Sequence, residues 1–81
     1  MAYPFREWPD VEGFVEELRA YGVQRVDLET EGVVGLIRRV GEGSVRVAVV
    51  ESTGRVGPGV YRSVCNSLGL DIREILGFDL G

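Results

Sequence analysis

The sequence predicts an α+β fold: a two-layer sandwich of order α-β-β-β-α, with a three-stranded antiparallel sheet carrying both helices on one face. Three observations predict it. Apolar residues between Asp10 and Tyr21 recur at steps of three and four. Three later segments are rich in β-branched residues, alternate with period two and are joined by short glycine-bearing connectors. A Gly57-Pro58-Gly59 turn then opens a last full helix, which Gly69 closes.

The elements follow in order. Residues 1–9 form a leader of proline and aromatics (Tyr3, Pro4, Phe5, Trp8, Pro9), in which the prolines forbid a continuous helix. Phe5 and Trp8 are expected to fold back on the first helix or a sheet edge as an extension of the core. From Asp10 to Tyr21, Val11, Phe14, Val15, Leu18 and Tyr21 share one helical stripe, with Glu16 and Glu17 facing out and Gly22 as the stop. Val23 to Glu29, Val33 to Val40 and Ser44 to Glu51 are the strands. Links as short as Glu31-Gly32 and Gly41-Glu42-Gly43 make them a meander. In the third strand the alternation sets Val45, Val47 and Val49 against Arg46, Ala48 and Val50. Gly35 inside the second strand suggests a bulge or a close backbone contact. The second helix, Val60 to Leu68, offers Val60, Val64 and Leu68 with Tyr61 and Cys65 alongside, and a capped turn begins at Asp71. Leu70, Ile72, Ile75, Leu76 and Phe78 then seal an edge, giving one domain with its core in residues 10–78.

Composition narrows the function classes. The chain has 81 residues, 44% apolar and 27% charged, a globular balance. No apolar run approaches a membrane span, and the N-terminus lacks a signal pattern, so a cytoplasmic protein without membrane contact is expected. Cys65 is the only cysteine, which rules out an internal disulfide and a multi-cysteine metal site. Neither a metal nor a cofactor is expected. All nine basic residues are arginine, against thirteen acids, and the net charge of −4 argues against strong non-specific nucleic-acid binding. Histidine is absent from the whole chain.

The stretch Gly59-Val60-Tyr61-Arg62-Ser63-Val64-Cys65-Asn66-Ser67-Leu68-Gly69-Leu70, followed by the acidic turn Asp71 to Leu76, resembles the last helix and tail of HicA-type toxins, the YcfA-like mRNA interferases. The likeness spans roughly Val11 to Leu76. It implies a double-stranded-RNA-binding-domain-like fold, an RNA ligand and a HicB-like antitoxin partner. The second strand of that family begins Gly-Ser-His, with the histidine catalytic; here Gly32-Val33-Val34 stands in its place. The third strand there often ends Val-Pro-x-His, whereas this chain reads Val49-Val50-Glu51-Ser52. RNA cleavage at such a site needs a group that exchanges protons near neutrality, and none is present. No catalytic residue is assigned, and no enzymatic activity is expected.

Two binding constellations remain. Arg38, Arg39, Arg46, Arg55 and Arg62 are candidate phosphate contacts, and if Arg38 and Arg46 lie on the helix-free face they form a positive strip for RNA. The alternative is a solvated network with Glu29, Glu31, Glu42 and Glu51. Gly57 and Gly59 offer backbone amides to an anion at a helix start, though the loop lacks the lysine of a nucleotide-binding phosphate loop. The second strand is apolar on both sides, so the helix-free face is expected to carry an apolar surface of Val34, Leu36, Ala48 and Val50. Either the aromatic leader or a second copy of the chain would cover it, making a homodimer the alternative to an RNA-binding module.

Overall fold

A computed structural model describes residues 7–77 of the chain. Its elements are α1 (Val11–Arg19), β1 (Val23–Asp27), β2 (Val33–Gly41), β3 (Ser44–Glu51), α2 (Pro58–Leu68) and α3 (Ile72–Leu76). The sheet is an antiparallel meander of order β1-β2-β3, and both helices pack on one of its faces around a single apolar core. The α+β order read from the sequence is therefore the observed one.

Local chemistry explains the boundaries. The Asp10 carboxylate accepts the Gly13 amide at 2.8 Å and caps α1. Gly22 then turns the chain at a φ of 84°, where a side chain would be strained. Pro58 occupies the first turn of α2, where its missing N–H costs nothing. Asp71 caps α3, and the hydrogen bonds that it accepts from Arg73 hold its carboxyl below the usual aspartate range. β1 stops at Asp27, two residues short of the expected Glu29.

The main correction concerns which sheet face is the core. Val23 follows directly on the Gly22 turn and is driven under α1, 1% exposed. It pairs with Arg38, and Arg38 pairs with Arg46. Residues opposite one another in an antiparallel ladder share a face. Val34, Leu36, Ala48 and Val50 therefore lie on the helix side, where all four are buried, and not on the helix-free face assigned to them above. Val45, Val47 and Val49 point the other way.

The helices supply the matching layer. Phe14 and Leu18 from α1, and Tyr61, Cys65 and Leu68 from α2, are fully buried. Val60 is not part of this stripe and is exposed. Phe14 meets Tyr61 with ring centroids 4.6 Å apart. The Tyr61 hydroxyl donates to the Glu17 carboxylate at 2.8 Å, so Glu17 joins the two helices instead of facing out. Trp8 folds back on the core, but its ring contact is with Tyr61 of α2, at 5.8 Å and edge-on, where the first helix or a sheet edge was expected. Phe5, expected in the same lid, lies outside the described residues, as do Tyr3 and Pro4 of the leader and Phe78 of the expected edge seal. The amide of Val56 donates to Pro9 at 2.7 Å, tying the loop before α2 to the segment before α1.

Gly69 closes α2 in the left-handed region at a φ of 72°, and a Cβ there would lie 3.1 Å from the stem of Arg46. Both backbone strain and crowding penalise a side chain at this position. Gly69→Ala is expected to lower stability by about 1–2 kcal/mol, read as a lower urea midpoint with an unchanged slope.

Candidate interaction surface

The helix-free face of the sheet is built from alternate residues of each strand: Gln24 and Val26 of β1, Val33, Gly35, Ile37 and Arg39 of β2, and Val45, Val47, Val49 and Glu51 of β3. Its centre is apolar. Val45, Val47 and Val49 are 51%, 62% and 59% exposed, and Val26 and Leu28 are each 41% exposed. Leu28 reaches this face because Gly35 has no side chain: a Cβ on Gly35 would lie 3.3 Å from the Leu28 side chain. The close contact expected at Gly35 is thus present, while the ladder irregularity falls at Arg39/Gly41. Among the described residues no element covers this surface. Scattered exposed valines are ordinary, but a contiguous group on a flat sheet marks an interaction surface.

The charges lie at its ends. Arg39 stands opposite Val45, and Glu51 opposite Val33, at the other end of the ladder. Arg39 borders a small hollow with Gln24, Ile37 and Val45, on the same face. Both Arg39 and Glu51 are exposed, and neither takes part in an ion pair within the described chain.

The five arginines do not converge. Arg38 and Arg46 lie on the helix side of the sheet, so they make no strip on the open face. Arg38 donates through Nε to the Tyr21 carbonyl at 3.1 Å and through Nη1 to the carbonyls of Leu68 at 3.0 Å and Gly69 at 3.3 Å. These oxygens close the turn after α1 and the end of α2, where helix carbonyls lack intrahelical donors and a cation is favoured. The Arg46 stem packs on Gly69. Arg55 donates to the Trp8 carbonyl and pairs with Glu7 at 3.6 Å. It sits beside the start of α2, roughly 16 Å along that helix from the Arg38 end. Arg62 is exposed on α2, and Arg39 is on the opposite side of the sheet.

Gly57 caps α2 without a side-chain hydrogen bond, and Gly59 is exposed in the following turn. Gly59 borders a groove of about 370 Å³ between the end of β3 and α2, lined by Val49, Glu51, Arg55, Val60 and Ser63 among others, and Gly57 is not among its lining residues. A carboxylate in that groove works against an anion. No polar or charged side chain is buried among the described residues, and no cluster of three potential metal ligands occurs there. Burial pushes the Cys65 thiol up to about 11, which keeps it protonated and unreactive near neutrality. No helix among the described residues is long and apolar enough to cross a membrane.

An apolar helix-free face is expected from the sequence, but its residues are not, because the alternation in β3 reads equally well either way round. The signal that finds them is the three-residue link Ala20 to Gly22, which turns Val23 inward and sets the parity of the whole sheet.

Comparison of the chain with protein-family models, with curated proteins and with solved structures finds no match.

Because Arg38 serves the carbonyls of Tyr21, Leu68 and Gly69 through three hydrogen bonds, Arg38→Met, which keeps the aliphatic stem, is expected to cost about 2 kcal/mol. Hydrogen exchange should report the loss first at Gly22 and Leu70, and an unchanged urea midpoint would contradict this role.

Proposed function

We propose that this chain is a non-catalytic protein-interaction domain that self-associates through the open face of its sheet. The observation that carries this reading is the contiguous exposure of Val26, Leu28, Val45, Val47 and Val49 on one flat surface. A sheet apolar on both faces and helix-covered on one leaves the second to be buried by another protein. On this view the chain keeps the architecture that the HicA-type resemblance implies and works by docking, without cleavage. An antitoxin of the HicB type is the partner the resemblance alone suggests.

RNA binding draws less support. Arg38 and Arg55 are engaged with backbone carbonyls, and of the exposed arginines Arg39 lies on the opposite sheet face from Arg46, while Arg62 sits on α2. Phosphate recognition gains affinity from cations placed along one track, which these positions do not form.

Sedimentation velocity over a concentration series tests the first reading. The wild-type chain is expected to associate in the micromolar range and Val47→Asp/Val49→Asp to remain monomeric, with an unaltered circular dichroism spectrum. A wild-type chain that stays monomeric at millimolar concentration overturns it. In a mobility-shift titration with structured RNA at low salt, no retention is expected. A salt-sensitive shift abolished by Arg39→Ala/Arg46→Ala/Arg62→Ala would favour the RNA reading instead.

A further inference from the structure

Building on the self-association reading, we propose that the partner is a second copy laid face to face and antiparallel, with Arg39 of each chain clasped to Glu51 of the other. The argument starts from the polarity of the open face. A positive end at Arg39 and a negative end at Glu51 are separated by six residues of β3, roughly 20 Å. Between them lies the apolar centre around Val47. A surface of this kind is complementary to itself only when reversed end for end.

Two simple dyads can stack one such sheet on another. An axis along the strands sets β2 over its own copy in the same direction, so Arg39 faces Arg39 and β3 lies over the partner's β1, with Val47 near the polar Gln24. An axis across the strands reverses them. β3 then lies over the partner's β3, so that Val47 meets Val47 and Val45 meets Val49. Arg39, level with Val45 on the neighbouring strand, comes level with the partner's Val49 at both ends, two residues (about 7 Å) along the strand from the partner's Glu51, a diagonal that its long side chain spans. The second arrangement alone joins apolar to apolar and opposite charge to opposite charge.

Neither charge has an ion-pair partner of its own among the described residues, so both are available without breaking an existing contact. The area is modest. Three strands are about 14 Å across, which places the contact at the small, reversible end of protein interfaces. At that size, end charges matter for orientation more than for affinity.

Charge exchange tests the arrangement. Arg39→Glu and Glu51→Arg are each expected to raise the dimer dissociation constant about fivefold at low salt, since every dimer contains two such contacts. The double variant Arg39→Glu/Glu51→Arg is expected to restore wild-type dimerisation, and the differences should fade in high salt. A dimer abolished by Val47→Asp/Val49→Asp yet indifferent to the single charge variants, or not rescued by the double, overturns the antiparallel clasp while leaving self-association through this face intact. Open-ended polymers also overturn it, because a face-to-face dyad closes at two. A monomeric wild-type chain removes both the clasp and the reading beneath it.

Discussion

The guanidinium of Arg38 donates to carbonyl oxygens in the turn after α1 and at the end of α2, and so ties both helices to the middle strand. Arg38 sits in the middle strand and is the cross-strand partner of Val23 on one side and Arg46 on the other. Two arginines side by side would repel. Here the negative ends of helix backbones lie next to them and offset the repulsion. The same geometry makes Gly69 obligatory, because the Arg46 stem occupies the space a side chain would need. Charge, helix termini and strand parity are thus one constraint.

That constraint accounts for what could and could not be read in advance. Helix and strand positions were legible because their signals are local: Asp10 before the first apolar stripe, Gly22 after it, Pro58 and Gly69 bracketing α2. The face assignment was not local. β2 and β3 carry apolar residues on both sides, so a period-two pattern satisfies either choice. The choice is set by the inward turn of Val23 after Gly22, and the hydrogen bond from Arg38 to Leu68, thirty positions away, goes with it. Charge content suggested arginines as ligand contacts. Two of them instead spend their donors on backbone carbonyls, a use that composition cannot reveal.

The candidate site was legible only in outline. That the sheet has a second apolar face followed from β2 alone, but the residues named for it were those of the core. The sequence pattern exchanges Val34, Leu36, Ala48 and Val50 for Val45, Val47 and Val49, and with them offers to the open side Arg38 and Arg46, which lie on the helix side. What remains on the open side is an oily centre with one cation and one anion at its ends, better suited to a protein surface than to a phosphate backbone.

The near-equivalence of the two sides of β3 has a consequence for how such a chain can change. Val45, Val47 and Val49 are exposed on one side of β3 while Ala48 and Val50 on the other are buried, and no described helix lies on the exposed set. A single amphipathic segment appended to either terminus, or supplied by another polypeptide, would convert two layers into three without altering a residue of the existing interior. The sheet is in that sense half of a larger architecture, already paved for its next tenant.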